Sequence, residues 1–154
     1  MSNFSTIFDQ LVDTTIPALT GFSTKTKLSN PYDLADNDEG QLRDGYGLII
    51  GAADETTPQY MCDFTVVSQE IAVVLTRVVI STPHNTTPLD TAVKALVEDA
   101  VTIRKDFYNP DQLTIPSNIE KIQFNNRSGI EYISDEFKFV ATTVFFTFDI
   151  KESL

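Results

Sequence analysis

The sequence predicts an α+β domain in which a largely antiparallel or mixed β-sheet is packed by an amino-terminal helix and a central amphipathic helix. Three stretches carry that expectation. Ile71 to Ile80 is apolar at both parities, with Ile71, Val73, Leu75 and Val79 on one side and Ala72, Val74, Val78 and Ile80 on the other. A strand of this kind is covered on both faces and belongs in the middle of a sheet. β-branched residues dominate it and neither Gly nor Pro interrupts, which favours strand over buried helix. Pro88 to Phe107 repeats apolar residues at helical spacing, and after Pro116 the chain returns to extended runs that end in a Phe-rich stretch. A sheet with helices laid against it is the layered solution for that order of elements.

Taken from the start, Phe4, Ile7, Phe8, Leu11, Val12 and Ile16 recur at helical spacing, with Asp9, Gln10 and Asp13 opposite and Ser2 or Asn3 placed to cap. Pro17 stops that helix near Ile16. Its apolar side needs a surface, either its own sheet or a neighbouring subunit. Ala18 to Arg43 loses the pattern and turns to Thr, Ser, Asn and Asp, so it reads as a long loop with a short strand near Thr26 to Leu28. Loops of this length are usually functional or ordered by a partner. Asn30-Pro31-Tyr32-Asp33-Leu34 is therefore a candidate docking element, with a merely solvated loop as the alternative.

Leu42 to Gly51 reads as a turn entering a strand, with Gly45 and Gly47 freeing the backbone, Tyr46, Leu48 and Ile50 on one face, and Gly51 as its end. Ala52 to Gln59 connects to a strand in which Tyr60, Cys62, Phe64 and Val66 alternate with Asp63, Thr65 and Val67. Ser68-Gln69-Glu70 then implies a bulge or bend within one long strand, or a break into two. Arg77, a cation in an apolar run, snorkels at a sheet end or pairs with a carboxylate, with a functional contact as the alternative.

Thr87, Pro88 and Asp90 together form a helix start: hydroxyl cap, proline in the first turn, acid facing the dipole. The expected stripe is Leu89, Ala92, Val93, Leu96, Val97, Ala100, Ile103 and Phe107, with Lys94, Glu98, Asp99, Arg104 and Lys105 in water. Ile119, Ile122 and Phe124 suggest a strand, closed by the turn-forming run Asn125 to Gly129, and Ile130, Tyr132 and Ile133 restart extended structure. In the terminal strand, Phe137, Phe139, Ala141 and Phe145 share one face, whereas Val144, Phe146, Phe148 and Ile150 share the other. That phase change near Thr143 implies a bulge or a change of packing partner.

The 154 residues are expected to form one domain, residues 1–154, with a core of its own. Lys and Arg number 11 against 22 acidic residues, a net charge of −11 that disfavours nucleic acid and anionic membranes as ligands. No apolar run has the length of a membrane span. One cysteine and an amino terminus without the order of a signal peptide point to a cytoplasmic protein. The single histidine, His84, reads as a turn residue, and Cys62 as a small buried thiol with no base beside it. Asp36-Asn37-Asp38-Glu39-Gly40 approaches a calcium loop, but the distance to the glycine is one residue short. The expectation is a protein that is not an enzyme, with no catalytic residues, no metal and no cofactor.

The order of features is more telling than any one motif. An amino-terminal helix, Asn30-Pro31-Tyr32-Asp33-Leu34, Asp36-Asn37, Leu42-Arg43-Asp44-Gly45-Tyr46-Gly47-Leu48, the strand Val73 to Arg77, an amphipathic helix and a Phe-rich carboxyl-terminal strand follow one another. Over most of the chain this resembles the tail terminator (tail completion or neck) proteins of long-tailed bacteriophages. The resemblance implies a structural virion protein, assembled in the host cytoplasm, that forms a homo-oligomeric hexameric ring on the tail tube protein. Such a ring ends tail growth and offers a surface to the head-tail connector or head-completion protein, and DNA passes its lumen without specific binding. A ring needs heterologous interfaces, and the expected contact residues are Asn30, Pro31, Tyr32, Asp33, Leu34, Arg43, Asp44 and Tyr46. The alternatives are a head-completion or connector neck protein, and a non-viral small-molecule-binding α+β domain with a pocket between helix and sheet.

Overall fold

The computed structural model describes residues 3–55, 64–80, 83, 87–108, 119–124, 129–132 and 138–153. The elements are α1 (Asn3–Gln10) continued by a π-turn (Leu11–Thr15), β1 (Thr26–Lys27), a 3-10 turn (Leu34–Asp36), α2 (Glu39–Leu42), β2 (Asp44–Glu55), β3 (Phe64–Val78), α3 (Pro88–Tyr108), β4 (Ile119–Phe124), β5 (Ile130–Tyr132) and β6 (Phe139–Ser153). All six strands join one sheet in the order β1-β2-β3-β6-β4, and β5 also pairs with β6. Only β1 and β2 run parallel; every other pairing is antiparallel. The fold is α+β.

β3 lies mid-sheet, between β2 and β6. Its odd-numbered side chains, Ile71, Val73 and Leu75, are fully buried in one cluster with Ile7, Leu11, Ile16, Phe22, Leu96, Ile103, Val144, Phe146 and Phe148. This is the face covered by helices: α1 packs on its own sheet, and α3 lies across β3 and β6. Phe146 and Phe148 meet edge to face at 4.9 Å beneath them. Burying a side chain of this size contributes about 1.5–3 kcal/mol relative to leaving it in water.

One end of the opposite face is covered by the loop that precedes β2. Leu28 and Leu42 bury themselves against Val74 and Phe139, with Leu34, Ile49 and Val78 packed around them. Gly45 and Gly47 belong to this contact. A Cβ on Gly45 would collide with the Gln41 carbonyl and stand 2.8 Å from Leu28, and one on Gly47 would stand 2.6 Å from the Pro31 ring. Neither has a positive φ, which among the described glycines is found at Gly21 alone. They are glycines because the loop lies on the strand, not because the strand needs to bend.

Several boundaries differ from the sequence reading. β2 does not end at Gly51 but runs to Glu55, and the irregularity placed at Ser68 to Glu70 lies across the pairing in β2. There Ile50 pairs with Ile71 and Ala53 with Gln69, so Gly51 and Ala52 together face Glu70 as a bulge. The Gln69 amide, almost fully buried, donates to the Gly51 carbonyl at 2.9 Å and holds the bulge in place. β3 itself is one unbroken strand, and its pairing with β6 has no shift from Phe64↔Ser153 to Val78↔Phe139. The phase change in β6 is thus not a bulge: Phe139 and Ala141 are apolar because the loop covers that end of the second face, while Val140, Val144, Phe146, Phe148 and Ile150 face the helices.

On α3 the buried stripe is Ala92, Leu96, Ala100 and Ile103, whereas Val97 is 51% and Val101 44% exposed on the outer side. Asp99, expected in water, turns inward to an ion pair.

Candidate assembly surface

The loop over the second face is held by side chains bonding to backbone. The Asn30 N–H donates to Asn37 Oδ1 at 2.8 Å, while the Asn37 amide returns bonds to the carbonyls of Asn30 at 2.8 Å, Asp33 at 3.1 Å and Leu34 at 3.1 Å. Asn30 Oδ1 accepts from the N–H groups of Tyr32 and Asp33, each at 3.2 Å, which is an Asx turn. Asp36 accepts from the Asn30 amide at 3.2 Å. The run that approaches a calcium loop in sequence therefore braces the polypeptide, and among the described residues no group of three acids, histidines or cysteines is arranged to hold a metal.

Two bonded ends make this segment a compact Ω-like loop with a defined tip. At the tip Tyr32 is 62% exposed, and its hydroxyl accepts the Ile50 N–H at 3.0 Å. That amide points away from β3, along the side of β2 where β1 has already ended. Between the loop, α1 and this edge lies a cleft of about 280 Å³, lined by Phe8, Val12, Pro31, Tyr32, Leu48 and Ile50 together with Asp9, Asp13 and Lys27.

The structure divides the expected contact residues. Tyr32, Asp33 and Arg43 are exposed; Asn30, Pro31 and Leu34 are partly buried and shape the loop from within. Arg43 borders a smaller cleft of about 190 Å³ with Arg77 and Pro88. Tyr46 is buried, and Asp44 is partly buried in an ion-pair cluster. Tyr46 is 5% exposed and donates its hydroxyl proton to the Val12 carbonyl at 3.1 Å. The π-turn explains that bond: the Ile16 N–H goes to Leu11, and the next residue, Pro17, has no N–H to give. Burial, and then the nearby Asp13 carboxylate, raise the Tyr46 pKa above 10.0.

Asp44 belongs to a charge cluster on the helix side. Lys25 Nζ, with no exposed side-chain surface, stands 2.5 Å from Asp44 and 2.8 Å from Asp99; Arg77 meets Asp99 at 3.0 Å and Asp44 at 3.4 Å. Asp44 and Arg77 are direct cross-strand partners. Two cations and two anions thus tie the segment before β1, the start of β2, the end of β3 and the middle of α3. Arg77 was visible in the sequence as a misplaced charge. Lys25 and Asp99 were not, since nothing local marks a lysine or a helix aspartate as buried.

Cys62 and His84 lie outside the described residues. No helix among the described residues is long and apolar enough to cross a membrane. The chain matches no protein-family model and no curated protein.

Proposed function

We propose that the chain is a structural assembly subunit of the tail terminator kind, a ring-forming virion protein that caps the tail tube and receives the head connector. The observation that carries this reading is the pair of unlike exposed surfaces on opposite faces of one rigid sheet. On one side is the braced tip with Tyr32 and Asp33; on the other, Val97 and Val101 stand one helical turn apart on the outside of α3. Head-to-tail contact between two different surfaces is what closes a cyclic ring. Exposed apolar side chains beside one another mark contact sites more often than isolated ones do.

A substitution test can separate the two surfaces. Leu34 packs on the second core and is unsuited to such a test, because polar replacement would loosen the loop itself. Tyr32→Ser and Val97→Glu each leave the buried clusters intact. Size-exclusion chromatography with light scattering, alone and with the tail tube protein, should show the ring lost in either variant. An equimolar mixture of the two should restore a single junction, giving dimers. Rings that survive both substitutions would overturn the reading, as would particles lacking the protein that show tails of normal length joined to heads.

A further inference from the structure

We infer that the open edge of β2 receives, as an added strand, an extended segment of another protein in which apolar and basic residues alternate. β1 pairs with β2 only at Gly45 and Tyr46, and the Leu28 N–H makes one more bond to the Tyr46 carbonyl at 2.9 Å. The Asn30 turn then carries the chain away. From Leu48 to Glu55, β2 has a paired strand on its β3 side alone among the described residues. An edge that the described residues leave unpaired is a template for a further strand, whose backbone bonds supply affinity and whose alternate side chains supply choice.

The 280 Å³ cleft lies along this edge. Phe8 and Val12 form one wall, Pro31 and Tyr32 the other, and the strand edge at Leu48 and Ile50 forms the floor. The Tyr32 hydroxyl already takes the outward N–H of Ile50. A carbonyl of the incoming strand would replace that hydroxyl, so Tyr32 acts as a provisional cap on the edge.

Charge selects the occupant. Asp9 and Asp13 line the cleft against one cation, Lys27, which is 3.4 Å from Asp13, and Asp33 is exposed on the neighbouring loop. A second copy of this chain would bring a further −11. A segment bearing Lys or Arg between apolar residues complements both the walls and the rim. Tyr32 belongs both to this edge and to the ring contact proposed above, but the two readings fail separately, because the test reads peptide binding by the isolated chain and not its assembly.

The test uses the full chain and three synthetic peptides: acetyl-Lys-Val-Lys-Val-Lys-Val-amide, its Glu-Val counterpart, and the Lys-Val peptide N-methylated at every residue so that neither edge can bond. Calorimetry gives affinity, and amide exchange at Ile50 reports the edge. The basic peptide should bind at least about tenfold tighter than the acidic one, slow Ile50 exchange and lose affinity in salt, and N-methylation should abolish binding. Asp9→Lys should narrow the difference between the two charged peptides. Ile50→Pro, which removes an outward N–H at a position where an edge strand tolerates proline, should abolish binding with the circular dichroism unchanged. Equal binding of the N-methylated peptide would reduce the contact to surface charge and overturn the inference, as would no binding at all. Ile50 protection that grows with protein concentration alone would make a second copy the occupant and overturn it equally.

Discussion

The sheet is covered along the whole of one face and at one end of the other, and the two covers are held by different physics. On the helix side, apolar side chains from α1, the π-turn and α3 mesh with β3 and β6, and burial of hydrocarbon stabilises the layer. On the other side the covering loop contributes few large side chains, chiefly Leu28 and Leu42. Its shape comes instead from Asn30 and Asn37, whose amides replace the backbone bonds that a helix would have made for itself. The first face is thus fixed by packing and the second by a few directional bonds. A cover of the second kind can present a tip of defined form at little cost in core.

The difference should appear in substitutions. Phe146→Ala, in the middle of the helix side, is expected to cost about 3–5 kcal/mol, seen as a lower urea midpoint for the whole domain. Lys25→Met leaves Asp44 and Asp99 facing a single Arg77 and should cost about 3 kcal/mol, again globally, because the cluster joins the sheet to α3. Asn37→Ala removes several loop bonds at roughly 1 kcal/mol each. Here the loss should be local: amide exchange between Ser29 and Leu42 should accelerate by more than the fall in global stability explains. If that variant instead lowered the whole transition as far as Phe146→Ala, the contrast between the faces would be lost.

Tyr46→Phe gives the smallest effect, about 1–2 kcal/mol for the Val12 carbonyl left without its donor. It also carries a pH signature. Because the folded-state pKa of Tyr46 is raised above 10.0, its contribution is complete below the unfolded value and is lost as pH climbs through the folded one. Stability of the wild type should therefore fall at alkaline pH more steeply than that of Tyr46→Phe, as compared by denaturant titrations on either side of pH 10.0.

Periodicity made the helix side legible. The strand through Ile71 and the helix from Pro88 stand where the residues place them, because each pattern records burial along its own element. It failed where burial is decided from a distance. Val97 fits the stripe of α3 by spacing, yet falls outside the sheet's width, and Asp99 looks solvated until Lys25 arrives from far along the chain. Apolar residues on both sides of β6 read as a phase change because a sequence does not say that two different covers meet two different halves of one strand. The same limit applies to the candidate site. Exposed Tyr32 was singled out as a docking residue, but Tyr46 and Asp44, close in sequence, turn inward for reasons held in the π-turn and in Lys25.

Amide hydrogen exchange of the isolated chain tests the loop cover on the second face most directly, at the N–H groups of Asn30 and Asp33, which are bonded to Asn37 Oδ1 and Asn30 Oδ1. Protection well above that of an unstructured peptide, falling to the peptide rate in Asn37→Ala, is the expected result. Exchange of both amides at the peptide rate in the wild type would mean that the loop has no form of its own, and the account of a loop cover with a shaped contact tip would fail.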